Sequence, residues 1–420
     1  MHKKIASTFF IKVIIAFLNL AIVVLLSRFL GAQGKGEASI IITSIAMILL
    51  FTNMIGGSSL VFLVPRFPTF LLFIISNVWT VFVCAITFVL FQFLRIIPSH
   101  IVLPVITLAL INSFLATNLT ILLGKEKVMS TNLISLLQTV LNLLVLWVLI
   151  CYLDEQNIQA YVNSLYAAMG FCLFLSTLLI IPYFKNYSLL ESKQTIRMLV
   201  KTGFTNQTGH ILKFLSFRFS YYVMVYYSGS VTLGVFSNGV ALIESLLLIS
   251  NSFSTILYPR VANSQNQESV RMLTLQMTKA GILLCALALI PLLMLPSSFW
   301  IWMFGPEFNG VHEVIVLLSP GILVYNIALI TGHYFSGVGR YAVNTISNLL
   351  GLLTTIVASL WVIPSYGIME AGIISSLSYL VTTYYIAYHF GKETNLKMHQ
   401  LIPRWVDVKW LIRQSQYIWK

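Results

Sequence analysis

The chain has 420 residues, of which 58% are hydrophobic and only 9% are charged, and its mean hydropathy is +0.90. A soluble domain carries roughly a quarter charged residues, so a soluble enzyme with a water-facing surface is excluded. The apolar runs are long and continuous rather than alternating tracts of about ten residues, which excludes a β-barrel and leaves an all-α polytopic membrane protein. The net charge of +13 comes from 25 Lys and Arg against 12 Asp and Glu. In such a chain it reads as basic cytoplasmic loops facing anionic lipid, not as a nucleic-acid surface.

The N-terminal apolar run resembles a signal peptide, but it is too long, Lys12 interrupts it and no small-x-small site follows. It reads as the first retained helix. Hydropathy and length predict about twelve spans. Six run near Phe9–Leu30, Ile40–Val64, Phe70–Leu94, Ile101–Leu123, Leu133–Leu153 and Ile158–Ile181. A second six run near Phe204–Tyr227, Val231–Leu257, Met272–Leu295, Val311–Phe335, Ala342–Ile363 and Ile368–Phe390. Residues 1–184 are expected as one six-helix bundle, 185–202 as a cytoplasmic linker, 203–390 as a second bundle and 391–420 as a basic, aromatic tail on the inner membrane surface. Most prolines fall at span ends, where a missing N–H costs least. Pro320 with Gly321 falls inside the tenth span and is expected to kink it and serve as a hinge.

Basic residues test the map. With a cytoplasmic N-terminus, twenty of the 25 fall on that side. Arg28, Lys35 and Arg95 fall outside, and Lys213 and Arg218 lie within a span. That asymmetry predicts cytoplasmic termini and an even number of helices.

The halves echo each other. Gly31 to Gly36 in LGAQGKG matches Gly234 to Gly239 in LGVFSNG, Val64-Pro65-Arg66 matches Tyr258-Pro259-Arg260, and Gly124-Lys125 matches Gly339-Arg340. Parallel repeats of this kind occur in transporters.

Motifs for chemistry are missing. The two Asp, Asp154 and Asp407, are far apart, and Mg²⁺ chemistry wants clustered carboxylates. His312-Glu313 lacks the second His of a zinc-protease motif, Gly337-Val338-Gly339 lacks a third glycine, and there is no Walker A sequence. Cys84, Cys151, Cys172 and Cys285 have no zinc spacing. No enzymatic activity, cofactor or metal is expected.

What remains is polar material inside helices, which normally faces a bundle interior or wet cavity. Lys213 and Arg218 read as a cationic lining for an anionic substrate, or as a structural pair with Glu244. Glu244, the one acidic residue deep in a span, reads as a proton or Na⁺ site or as a counter-ion. Ser237, Glu244 and Asn251 recur every seven residues and share a face. Lys12 and Asn19 share a face of the first helix, where Lys12 can also snorkel. Arg28 reads as an interface anchor or a substrate contact. Thr131, Ser135, Gln138 and Asn142 form a stripe on the fifth helix, lining a cavity or joining helices.

An ordered set of landmarks carries a family resemblance: SRFLGAQGKGEASI, LYPRVA, FGPEFNGVHEVIVLLSPGILVYNIALITGHYFSGVGR and WVIPSYGIMEAGIISSLSYL. Together they resemble the Wzx-like oligosaccharide flippases of the multidrug/oligosaccharidyl-lipid/polysaccharide exporter superfamily, over about Ile5 to Phe390. The resemblance implies two six-helix bundles around a central cavity, related by a pseudo-two-fold axis, and alternating access. It implies an undecaprenyl-diphosphate-linked oligosaccharide moved across a bacterial inner membrane for O-antigen, capsule or exopolysaccharide. It leaves open H⁺ or Na⁺ as a coupling ion and polysaccharide polymerases as partners. Relatives often read Arg-x-Asp in the seventh helix; here Arg218 is followed by Ser220, which departs from any scheme using an acid there. The runner-up is an ion-coupled drug or small-molecule antiporter of the same fold.

Overall fold

The computed structural model describes residues 2–184, 189–264, 266–366 and 368–403. Among them there is no strand. Thirteen helices follow one another: α1 (His2–Thr52), α2 (Gly57–Leu63), α3 (Thr69–Leu94), α4 (Ser99–Gly124), α5 (Val128–Cys151), α6 (Ile158–Ile180), α7 (Leu189–Ser245), α8 (Leu247–Asn263), α9 (Gln267–Met294), α10 (Ser297–Phe304), α11 (Val311–Gly337), α12 (Tyr341–Tyr366) and α13 (Ile368–Thr394).

Starts follow local chemistry. Pro68, Pro98 and Pro296 stand at the N-caps of α3, α4 and α10, where no backbone donor is needed. Asn157 caps α6 by accepting from the Ala160 amide at 3.1 Å, and Asn266 caps α9 by accepting from Ser269 at 3.0 Å.

Two helices are too long for one crossing. α1 has 51 residues and α7 has 57, and each breaks at one glycine in the left-handed region: Gly31 at φ 65, ψ -172 and Gly229 at φ 81, ψ 174. A side chain there would meet the Cβ penalty that glycine escapes. In a straight helix, residues 218 and 244 would stand about 39 Å apart. Instead Arg218 touches Glu244, so α7 doubles back at Gly229. The matching dihedrals at Gly31 give α1 the same turn. Each of these helices therefore supplies two predicted spans. The second span is completed by α2 and the eighth by α8.

Nine stretches among the described residues are long and apolar enough to cross a membrane; Phe10–Thr52 and Gln207–Asn263 hold two spans each. α13, the twelfth predicted span, is too rich in Tyr, Ser and Thr to be among the nine. The stretch 189–202, expected as linker, is helical and opens α7. Residues 185–188 of that linker, and the tail from Arg404 onward, lie outside the described residues. α11 runs as one helix through Pro320 and Gly321. A Cβ on Gly321 would lie 2.6 Å from Ser376 Cα on α13, and the Ser376 hydroxyl donates to the Leu317 carbonyl at 2.6 Å.

The chain forms two compact units, one of residues 1–211 with 229–234, the other of 212–228 with 235–420. In the first, α4 is the central helix, packed on α1, α2, α3 and α6. Its Leu115, Ile121 and Leu122 join Leu60, Leu63, Leu72 and Ile180 in the core. In the second, α11 is central and packs on α8, α9 and α13.

The two units repeat the same contacts. A Cβ on Gly124 would fall 2.7 Å from Val64 Cβ, and one on Gly337 would fall 2.7 Å from Val261 Cβ. Thr52 donates to Ser113 at 3.1 Å, and Ser250 donates to Asn326. Within the first unit, a Cβ on Gly36 would strike the Ser230 carbonyl, and one on Gly234 would strike the Ala32 carbonyl. These pairings equate Gly31 with Gly229, Gly36 with Gly234, Val64 with Val261 and Gly124 with Gly337. The repeat anticipated from sequence is real, but its register differs from all three echoes, most at the first, where Gly31 had been matched to Gly234.

Candidate functional site

A charged cluster in the second unit is built on the first limb of α7. Arg218 donates to both oxygens of Glu244, Nη1 to Oε1 at 2.7 Å and Nη2 to Oε2 at 2.5 Å. This is the planar, two-pronged pairing that guanidinium and carboxylate favour. Tyr379 on α13 adds a third bond, its hydroxyl donating to Glu244 Oε1 at 3.3 Å. The Tyr221 ring lies 5.1 Å from the guanidinium. The pair keeps some access to solvent, with Arg218 22% and Glu244 16% exposed. Of the two readings open for Arg218, the structure thus brings forward the pairing with Glu244.

Lys213 differs. Among the described residues its ammonium has no hydrogen bond and no carboxylate partner. It lies 5.8 Å from the centre of the Phe217 ring and 5.7 Å from that of Tyr325, at the outer range of a cation–π contact. Phe217, Tyr325 and Tyr379 touch one another, with ring centres 4.6 to 5.2 Å apart. This triangle of rings from α7, α11 and α13 joins Lys213 to the Arg218–Glu244 pair. His333 lies two turns beyond Tyr325 on α11. Its Nδ1 donates to the Leu329 carbonyl at 2.8 Å, which leaves Nε2 for other partners.

Other candidates fall elsewhere. Asn251 is exposed while Ser237 is buried, so the seven-residue spacing does not give the two one environment. In the first unit, Lys12, Asn19 and Arg28 are exposed on the first limb of α1. Asn142 is buried and accepts from Ser164 of α6 at 2.9 Å, so it joins helices. Thr131 and Ser135 donate to their own helix backbone, and Gln138 makes no side-chain bond among the described residues.

Sequence reasoning missed the aromatic half of the site. In the sequence nothing separates Tyr325, Tyr379, Phe217 and His333 from other aromatic and polar residues of the spans. The available signal was the polarity of α13, whose SSLSYLVTTYYIAYH is poor material for a lipid-facing surface.

No protein-family model matches the chain. A stretch of 165 residues, 38% of the chain, is 27% identical to the capsular polysaccharide biosynthesis protein CapF of Staphylococcus aureus; it spans 42% of that protein, less than half its length. Among solved structures, the chain is similar over 94% of its length to the lipid II flippase MurJ in an inward closed conformation, covering 89% of that chain with a TM-score of 0.75 at 10% identity. It is similar over 90% of its length to an inward-facing MATE family multidrug transporter of the MOP superfamily, covering 95% of it with a TM-score of 0.70 at 14% identity. A mutant of the Vibrio cholerae MATE transporter VcmN matches over 94% of the chain and 98% of its own, with a TM-score of 0.64 at 14% identity. The chain shares the fold of these solved structures. That fold has twelve helices in two bundles, which accounts for paired spans in α1 and α7 and for α13 as a span despite its polarity. Its bearers found here are transporters and flippases, not enzymes. The chain is a multi-pass membrane protein.

Proposed function

We propose that this chain is a flippase for an undecaprenyl-diphosphate-linked oligosaccharide. It moves the substrate from the inner to the outer leaflet of a bacterial inner membrane, with both termini cytoplasmic, during surface polysaccharide assembly. The observation that carries the reading is Lys213: a cation within a span, beside aromatic rings and, among the described residues, without a carboxylate partner. A charge within a membrane span is costly. It is retained where a ligand supplies the opposite charge, and a diphosphate is such a ligand. The rings beside it suit a sugar's apolar face. The partial likeness to CapF, a capsular polysaccharide biosynthesis protein, supports the polymer-assembly context. The polyprenyl tail stays in lipid.

A carrier of cationic drugs would need a free acid. The carboxylate deep in the spans, Glu244, is already held by Arg218, so nothing in the site favours that reading.

The test is flipping of an undecaprenyl-diphosphate oligosaccharide in proteoliposomes. Lys213→Ala should lower the rate at least about tenfold, the equivalent of about 1.4 kcal/mol of lost interaction, while Lys213→Arg retains most of it. Thermal stability of both should match the wild type. Wild-type flipping by Lys213→Ala overturns the reading.

A further inference from the structure

We infer that a single water molecule is held between Ser220 of α7 and Ser359 of α12, where it joins the two helices inside the second unit. The inference stands apart from the flippase reading and does not depend on it.

The site continues a seam of hydroxyls shared by α7, α12 and α13. Ser216 and Ser378 bond hydroxyl to hydroxyl at 2.9 Å, and Ser378 donates to the Gly351 carbonyl at 2.9 Å. Thr355 donates to the Ser216 carbonyl at 3.0 Å, in a bond shared with the Gly351 carbonyl of its own helix, also at 3.0 Å. A Cβ on Gly351 would lie 2.9 Å from Ser216 Oγ and 3.3 Å from Ser378 Oγ, so the bare glycine lets three helices meet closely.

These contacts set the direction of the helices. The Ser216 side chain lies beside Gly351, while its carbonyl, which points toward the C-terminal end of its helix, meets Thr355 one turn further along α12. The first limb of α7 and α12 therefore run parallel here. Four residues on, the next turn of each helix brings Ser220 and Ser359 to the same level of the seam.

Among the described residues neither of these hydroxyls has a hydrogen-bond partner, and Ser220 is 1% exposed and Ser359 0%. Hydroxyls stranded in this way are costly in a membrane span. A helical serine ordinarily bonds a carbonyl three or four residues back. For Ser220 those outlets are in use: Phe217 accepts from Arg218 Nη1 at 3.3 Å, and Ser216 accepts from Thr355.

A ligand between the two serines relieves both. It has to donate and accept, and it has to be small. It has to be neutral, because the seam is lined by hydroxyls and carbonyls that cannot balance an ion. Water meets all three demands. Ser375 stands on the α13 face that carries Thr382, seven residues on, and donates to its own Ala371 carbonyl at 2.9 Å. Its oxygen can still accept, which offers a third bond, within the roughly two to four that a buried water makes. Met224 and Ile363, one turn beyond the serines and 0% and 1% exposed, close the site with apolar atoms.

The experiment combines an experimental map of the full chain in nanodiscs, at a resolution that shows ordered water, with melting of Ser220→Ala, Ser359→Ala and the double variant. The wild-type map should show one peak within hydrogen-bond distance of both hydroxyls. Each single variant strands the remaining serine and should melt below the wild type. The double variant strands neither and should melt above both singles. A dry seam predicts the reverse: each alanine removes an unsatisfied group, raises the melting temperature, and adds to the other. That result overturns the inference. So does coupling between the serines with no peak between them, which means that they bond directly. A peak that strengthens when Tl⁺ replaces the buffer cation is an ion and overturns it as well.

Discussion

Gly36 and Gly234 each press on the backbone carbonyl of the residue four before the other. The contact is reciprocal, as a local two-fold axis between the segments would make it. Because the opposing atoms are backbone, no rotamer change can admit a methyl group. Gly36→Ala and Gly234→Ala should each destabilise the protein by about 1–3 kcal/mol or more, read as a lower melting temperature in detergent. Gly170, with open space around its Cβ position, is the control, where Ala should be neutral or stabilising by up to about 1 kcal/mol.

The Arg218–Glu244 pair predicts non-additive stability. Arg218→Ala or Glu244→Ala leaves one charge uncompensated and should cost about 3–5 kcal/mol. The double Arg218→Met, Glu244→Leu should cost clearly less than the sum of the two. A double-mutant cycle on thermal unfolding measures this; strict additivity refutes the pairing as a stabilising unit.

Pro320 is proposed as a hinge. Pro320→Ala should restore a helix hydrogen bond and slow flipping several-fold, with binding of the prenyl-diphosphate sugar unchanged. The competing arrangement is visible at Ser376, whose hydroxyl holds the Leu317 carbonyl. If flipping and binding both match the wild type, the Pro-Gly step serves packing alone.

Topology is checked by labelling. In a variant lacking the native cysteines, a cysteine at Glu155, in the turn between α5 and α6, should react from outside the cell. One at Lys392, near the end of α13, should react only from within. Reaction of both from the same side contradicts cytoplasmic termini.

Much of the helix map was legible because apolar length reports a membrane crossing directly. The repeat was legible only in outline. The letters of LGVFSNG matched those of LGAQGKG, but the equivalent of Gly31 is the glycine that shares its dihedrals, Gly229. Backbone role, not residue identity, fixed the register. Lys213, Arg218 and Glu244 were visible as charges out of place, since an ionised group in a span demands an explanation from sequence alone. Their partners were not. Which of two bases Glu244 takes depends on the reversal at Gly229 and on the phase of each limb, neither of which a linear pattern states. Tyr325 and Tyr379 were hidden for a different reason: an aromatic residue reads as core whether or not it faces a charge.

The polarity of α13 bears on biogenesis. Three of its hydroxyls are spent on other helices: Ser376 on Leu317, Ser378 on the Gly351 carbonyl at 2.9 Å, and Tyr379 on Glu244. Before those neighbours are in place, the same groups would face hydrocarbon unsatisfied. A nascent α13 leaving the ribosome therefore has little to gain by partitioning sideways into lipid on its own. It should wait at the translocon until α11 and α12 have gathered, and enter as the last piece of a nearly assembled unit, so that insertion of the final span doubles as a checkpoint on the folding of the others.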